Sequence, residues 1–203
     1  AYLCCLPNVV VMAPSDESEL ANMVLTSSSY SDGPIFCRYP RGEGEGVDIA
    51  EMPEIIEIGK GRIVRKGKDL AVFALGTRVG VAIKVADNLV AEGYSITVAD
   101  ARFAKPIDTE LLKELWKTHS NLIIIEEGSV GGFSSHCLHF LSSKGILNHR
   151  NKEIKCLTMP DYFQDHASQN EQLAKAGLDA DGLINTIREM LPISKLSNDM
   201  VVK

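Results

Sequence analysis

The hydrophobic positions of this chain fall into short continuous runs, separated by segments in which apolar residues recur every three or four positions. Continuous β-branched runs are typical of strands buried in a parallel sheet, whereas the wider spacing is typical of helices that pack against one. In the first part of the chain the pattern predicts strands at 8–13 and 35–39, with a helix between them from the N-cap Ser15 to about Ser29. One such unit cannot cover a strand that is buried on both faces, so we expect residues 1–42 to be the remnant of a larger sheet whose other strands lie upstream.

The apolar edge of that first sheet needs a cover, because an open edge is an association hazard. We expect the cover to be a preceding part of the protein, a second copy of the chain, or packing against residues 69–191. The pattern leaves these three alternatives open.

From Asp69 onward strands alternate regularly with helices. Before it, residues 43–68 lack a strong apolar period and contain several glycines, which predicts a linker that ends in an edge strand at 62–65. The later strands are predicted at 70–75, 95–99, 121–125 and 154–159, and the helices at 77–92, from 108, at 133–143, at 170–176 and from 179 or 181 to 190. This alternation indicates an α/β fold with a mostly parallel sheet and helices on both faces, preceded by the β-α-β remnant of a second α/β domain. Residues 193–203 are predicted to be a frayed tail.

Composition and charge are those of an ordinary globular protein and exclude several classes of partner. Of its 203 residues 45% are apolar and 24% charged, and the net charge of −6 disfavours nucleic acid and anionic membranes as partners. No apolar run approaches the roughly 20 residues that cross a bilayer, and no signal-peptide pattern opens the chain. The cysteines are odd in number and form no C-x-x-C pair, which predicts reduced thiols in a cytosolic protein: Cys4, Cys5, Cys37, Cys137 and Cys156.

The first candidate site is Arg41, which follows a strand at the edge where α/β sheets bind ligands. A proline with no N–H for a sheet ladder precedes it, so the strand should end at about Tyr39 and place Arg41 just beyond its carboxyl end. A guanidinium at this position suits a phosphate or a carboxylate. The alternative is that Arg38 and Arg41 are surface residues that pair with Glu43, Glu45 or a neighbouring domain.

Two turns between a strand and a helix carry motifs for which a structural role is favoured. Residues 76–80 could hold a dinucleotide pyrophosphate, but the third glycine of that fingerprint is missing and Asp100 fits its acidic position only loosely. A plain turn with Thr77 as the helix N-cap is the favoured alternative. Glu126 and Glu127 alternate faces on a strand and have no partner for acid–base chemistry, so we expect one of them to be a cap or an interdomain hydrogen-bond acceptor.

The histidines do not have the spacing of a metal site. His136 and His139 lie three positions apart on a predicted helix, but a zinc site needs further ligands. The other histidines are dispersed along the chain: His119, His149 and His166. No phosphate-binding loop, serine-nucleophile elbow or cysteine-nucleophile signature is present. We therefore assign no catalytic, cofactor-binding or metal-binding residue in this chain.

Taken together, several stretches resemble one enzyme family, 1-deoxy-D-xylulose-5-phosphate synthase. The segment Arg38-Tyr39-Pro40-Arg41-Gly42 resembles the end of that family's pyrimidine-binding domain. The stretches that are similar to its carboxyl-terminal domain are 59–61, 98–108, 126–132 and 159–161. The resemblance reaches to about Leu191, and the residues of these segments are similar to those of bacterial rather than plastid members.

This resemblance also implies a division of the chain into domains. The implied units are the end of the pyrimidine-binding domain at 1–46, the linker and edge strand at 47–68, a transketolase C-terminal-like domain at 69–192, and the tail at 193–203. Related thiamine-diphosphate enzymes share the fold of the last domain but not the Arg-Tyr-Pro-Arg-Gly segment in this setting.

The resemblance implies a homodimeric transferase of the bacterial cytoplasm that depends on thiamine diphosphate and Mg²⁺. Such an enzyme condenses pyruvate with D-glyceraldehyde 3-phosphate, releases CO₂ and forms 1-deoxy-D-xylulose 5-phosphate for isoprenoid, thiamine and pyridoxal synthesis. By the same resemblance Arg41 holds the phosphate of the aldehyde substrate, and Arg38, on the opposite strand face, orients structure.

The family's diphosphate- and Mg²⁺-binding motif, its activating glutamate and a histidine would all lie upstream of residue 1. We therefore expect the chain alone to bind no cofactor tightly and to have no synthase activity, with the missing amino-terminal part as its partner. The cofactor carries the carbanion chemistry, and protein groups position and tune it. Two alternatives stay open: a non-catalytic α/β interaction domain, and a nucleotide-binding domain that uses the turn at 76–80.

Overall fold

The computed structural model describes residues 1–147 and 151–192, so the tail predicted at 193–203 and His149 lie outside the described residues. The strands are β1 (Val10–Met12), β2 (Ile35–Cys37), β3 (Arg62–Arg65), β4 (Leu70–Ala74), β5 (Ile96–Asp100), β6 (Phe103–Lys105), β7 (Asn121–Ser129) and β8 (Glu153–Met159). The helices are α1 (Glu17–Ser29), α2 (Arg78–Asn88), α3 (Thr109–Thr118), α4 (Phe133–Ser143), α5 (Gln169–Lys175) and α6 (Ala180–Met190). None of the described helices is long and apolar enough to cross a membrane.

Most of the chain forms a five-stranded sheet in the order β3-β5-β4-β7-β8. The four strands β4, β5, β7 and β8 are parallel, and β3 is an antiparallel edge strand on β5. Side chains alternate between the two faces, as the pleat of a strand requires. Val72 and Ile123 pack in the core that contains α2 and α6, whereas Phe73 and Ile124 pack in the core that contains α3 and α4. The predicted α/β fold, mostly parallel with helices on both faces, is confirmed.

A second, three-stranded sheet has the order β2-β1-β6. Strand β1 is parallel to β2 and antiparallel to β6, and Met12 of β1 is completely buried. Strand β6 was not predicted, because three residues before a proline carry no periodic signal; only its pairing with β1 makes it a strand. Residues 103–105 therefore cover one edge of β1. Because β6 belongs to the stretch 69–191, this cover is the third of the three alternatives given above.

Several predicted boundaries are wrong by a few residues, each for a local reason. The N-cap of α1 is Asp16 rather than Ser15, because the Asp16 carboxylate accepts the Glu19 N–H at 2.8 Å while the Ser15 hydroxyl donates to Asp16. Strand β2 ends at Cys37 rather than Tyr39. Strand β7 continues past Ile125 to Ser129, because its pairing with β8 extends to the end of that strand.

Candidate functional site

Arg41 lies in the loop after β2, at a cavity of about 390 Å³ between that loop and two helix N-termini. One wall is the start of α1 with Asp16 and Glu17, another is the loop from Tyr39 to Glu45, and Thr77 ahead of α2 forms part of a third. The Arg41 residue is exposed. Its predicted position beyond the carboxyl end of a strand is therefore correct, although that strand ends earlier than predicted.

Arg41 differs from the other described arginines in forming no ion pair with a described residue. Within residues 1–147 and 151–192, every other arginine forms an ion pair with a carboxylate: Arg38, Arg62, Arg65, Arg78, Arg102 and Arg188. Arg41 forms no ion pair with any described residue, and neither Glu43 nor Glu45 holds it. A permanently charged guanidinium at a cavity, without an internal carboxylate, is available to an anion from outside.

Most of the carboxylates around this cavity already have a hydrogen-bond or ion-pair partner within the chain. Asp16 caps α1, Glu17 accepts the Gly46 N–H at 2.7 Å, and Glu45 pairs with Lys84 at 2.7 Å. The hydrogen bond from Gly46 lowers the pKa of the Glu17 carboxyl below its ordinary value. With Glu43 also on the rim, an anion in this cavity meets several negative charges, so its binding depends on the Arg41 charge.

Glu127 joins the loop after β2 to the large sheet. Its carboxylate accepts hydrogen bonds from Arg38 at 2.7 Å, from Arg78 at 3.0 Å and from the Thr77 hydroxyl. Burial by itself raises the pKa of the Glu127 carboxyl, but the Thr77 and Arg38 hydrogen bonds and the Arg78 charge outweigh burial, so the pKa lies below its ordinary value. Arg38 is thus held by a contact with the five-stranded sheet, as the alternative of a paired surface arginine described.

Glu126 points to the other side of the strand and caps α4. Its carboxylate accepts the N–H groups of Phe133 at 3.2 Å and Ser134 at 2.8 Å, together with the Ser134 hydroxyl. A side chain at Gly128 or Gly132 would collide with this carboxylate, since an added Cβ would lie 2.4 or 2.6 Å from Glu126 Oε2. Glu126 therefore has the capping role that the sequence predicted for one of the two glutamates.

The turn at 76–80 is used internally rather than open to a nucleotide. Thr77 stands at the N-cap position of α2, but its hydroxyl donates to Glu127 instead of capping the helix. The Arg78 guanidinium is buried, and its Nη1 donates to the Leu178 carbonyl at 2.7 Å. Asp100 is completely buried, and burial raises its pKa to about 6, so it offers no accessible carboxylate to a ribose.

A buried ion-pair network that the sequence did not predict lies where the two sheets meet. Glu19 on α1 is 2% exposed and receives a two-pronged contact from Arg102, at 2.8 and 2.9 Å. Arg62 approaches the same carboxylate at 3.0 Å and Asp100 at 3.4 Å. In the sequence Glu19 looks like any acidic residue of a first helical turn, and no signal indicates partners that lie more than forty positions away.

His119 and His136 lie within the packed part of the fold. His119 is buried, with Nε2 2.8 Å from the Thr97 hydroxyl and Nδ1 2.9 Å from that of Thr118. Burial lowers the pKa of His136 on α4. Across residues 1–147 and 151–192, no group of three or more histidine, cysteine, aspartate or glutamate residues could hold a metal ion.

Comparison with known proteins identifies the family to which this fold belongs. The family model for the transketolase C-terminal domain matches residues 59–183, and the chain belongs to that family. Enzymes of the transketolase family use thiamine diphosphate and a divalent metal. The chain is thus transketolase-like, and its match lies in the C-terminal domain of that family.

A solved structure with a similar chain is a split-gene transketolase, described as an inactive β4 tetramer. The two share 27% sequence identity with a TM-score of 0.76. The match covers 94% of this chain but only 60% of the other one, so the chain spans about three fifths of the length of that relative.

Proposed function

We propose that this chain is the carboxyl-terminal part of a 1-deoxy-D-xylulose-5-phosphate synthase. The complete enzyme would be a homodimer that condenses pyruvate with D-glyceraldehyde 3-phosphate and releases CO₂. The segments 38–42, 98–108 and 126–132 support this choice within the transketolase-like class, because they resemble that synthase in two domains at once. Thiamine diphosphate would supply the carbanion chemistry from a site in another part of the enzyme.

The observation that carries the proposal is the unpaired Arg41 guanidinium at its cavity. We assign it to the phosphate of the aldehyde substrate, where it would form a charge-assisted contact. A hydrogen bond to a charged group contributes about 1.5–3 kcal/mol, equivalent to roughly 10- to 150-fold in affinity. Arg38, engaged with Glu127, would maintain the path of the loop that carries Arg41.

Replacement of Arg41 in the complete enzyme tests this assignment. Arg41→Met should raise KM for D-glyceraldehyde 3-phosphate about 10- to 100-fold, from the loss of one charged contact, and leave KM for pyruvate unchanged. Arg65→Met is a matched control, since Arg65 lies on the edge strand β3 and pairs with Asp87 of α2. An unchanged KM for the phosphorylated aldehyde in Arg41→Met, or a selective rise in Arg38→Met alone, would show that Arg41 is not the phosphate contact.

The chain by itself is expected to form no product. This expectation rests on the description of the similar split-gene chain as inactive. The measurement is product formation and CO₂ release by the isolated polypeptide with pyruvate, aldehyde, thiamine diphosphate and Mg²⁺. Turnover comparable to that of the complete enzyme would refute the expectation.

A further inference from the structure

The loop that carries Arg41 is anchored at its two ends and not between them. At the start, the Arg38 N–H donates to Met12 and its guanidinium to Glu127. At the end, the Gly46 N–H donates to Glu17 at 2.7 Å and Glu45 pairs with Lys84 at 2.7 Å. Among the described residues, positions 39–44 form no hydrogen bond, so the place of Arg41 depends on these anchors.

Of the anchors at the end of the loop, Glu17 is the more constrained. It belongs to the first turn of α1, a helix fixed by the buried Met23 and by the ion pairs of Glu19. The Lys84–Glu45 pair is half exposed on both sides, and pairs of that kind contribute little. Gly46 has a φ of 77°, in the left-handed region that favours glycine.

The backbone of the loop is also fitted closely around the Glu17 side chain. A Cβ added at Gly44 would lie 1.9 Å from Glu17 Oε1 and 2.7 Å from its Cγ, so a methyl group at that position would displace the carboxylate from Gly46. The hydrogen bond from Gly46 also lowers the pKa of the Glu17 carboxyl, which favours its charged form. Glycine at position 44 and glutamate at position 17 are therefore interdependent.

We infer that Glu17 is a positioning residue: by holding Gly46 and enclosing Gly44 it keeps the 39–46 loop, and with it Arg41, over the cavity. The inference rests on the proposed phosphate contact of Arg41. Glu17 itself does not touch the substrate. Loss of its carboxylate frees the end of the loop, lengthens the unanchored segment and raises the entropy that substrate binding must remove.

Tryptic cleavage at Arg41–Gly42 in the complete protein measures the position of the loop without any assay of activity. Glu17→Ala should accelerate cleavage at this bond about tenfold, because loss of a charge-assisted hydrogen bond raises the open population by that order. Glu17→Gln should stay close to the unchanged protein, since its amide oxygen still accepts the Gly46 N–H. Gly44→Ala should resemble Glu17→Ala, and adding Gly44→Ala to Glu17→Ala should have little further effect.

Two controls separate the loop from general unfolding. Cleavage at Lys66–Gly67, in a turn that Glu17 does not contact, should be the same in all variants. Glu114→Ala, which removes an exposed glutamate of α3, should change neither bond. Unchanged cleavage after Arg41 in Glu17→Ala, or an equal acceleration at both bonds, would overturn the inference.

Kinetics of the complete enzyme then test the link to the substrate. Glu17→Ala should raise KM for the phosphorylated aldehyde about three- to tenfold with kcat retained, and Glu17→Gln should restore it. If Arg41→Met raises this KM and Glu17→Ala does not, the positioning role is wrong while the proposed function stands. If Arg41→Met itself has no effect on this KM, the phosphate contact is wrong and the kinetic part of the inference fails with it. The cleavage result alone then decides whether Glu17 holds the loop.

Discussion

At the scale of single residues, the surroundings of Glu127 and Asp100 shift the pKa values of these two carboxyls in opposite directions. Two arginines and a hydroxyl lower the pKa of the Glu127 carboxyl, whereas Glu126 accepts hydrogen bonds from the N-terminus of α4. Asp100 is completely buried and its Oδ2 has no hydrogen-bond partner in the described structure, although Arg62 lies 3.4 Å away. Burial dominates there, and Asp100 is the group that should make stability depend on pH.

The first prediction concerns Asp100. Its pKa is about 6 in the folded protein against 3.8 ordinarily, so between these values the folded state binds more protons than the unfolded state. The contribution of Asp100 to the free energy of unfolding is therefore largest below pH 4 and is lost as pH rises through 6, by about 3 kcal/mol. Asp100→Asn should flatten this part of the curve, because an amide does not titrate.

Chemical denaturation at several pH values between 4 and 7 measures this component. Asp87→Asn is the matched control, because Asp87 is an exposed carboxylate that pairs with Arg65. Identical pH slopes for Asp100→Asn and the unchanged protein would show that Asp100 titrates normally.

At the scale of elements, the strands of the two sheets differ in how clearly the sequence predicts them. Strands β4, β5, β7 and β8 are long enough to carry their own β-branched signal, and their helices have clear caps such as Asp108 and Asp179. Strand β6 has three residues and acquires its role only by pairing with β1. Its Phe103 is completely buried, in a core with Val10, Met12 and Met23.

The second prediction concerns β6. Phe103→Ala should reduce the free energy of unfolding by about 3–5 kcal/mol, because it removes a buried aromatic ring and leaves a cavity between β6 and α1. Phe163→Ala is the matched control at a fully exposed phenylalanine and should change stability by less than about 0.5 kcal/mol. Equal effects of the two substitutions in chemical denaturation would contradict the role of β6 as a covering strand.

At the scale of the whole molecule, the two sheets are joined by the short connection from β5 to β6, by the Glu127 contacts and by the Glu19 network. Glu19 and Arg102 are separated by 83 positions and meet in a two-pronged, largely buried pair. Removing one member of such a pair leaves an uncompensated buried charge, which costs more than losing both together. The two residues should therefore be strongly coupled.

The third prediction is that coupling. A double-mutant cycle with Glu19→Ala and Arg102→Ala should yield an interaction free energy of about 1–3 kcal/mol in unfolding experiments. The exposed pair of Lys155 and Glu189 serves as the reference cycle and should yield less than about 1 kcal/mol. Additive effects at Glu19 and Arg102 would mean that this pair does not hold the sheets together.

The sequence by itself determined the alternation of strands and helices, the position of Arg41 after a strand and the structural role of the 126–132 motif. These follow from local periodicity, caps and glycines, which act over a few neighbouring residues. Tertiary structure alone decided that β6 joins β1, that Glu19 meets Arg102, and that Arg41 is left without a carboxylate while the other described arginines are paired. Such pairings depend on which distant groups the fold brings within a few ångströms, and no local pattern encodes that proximity.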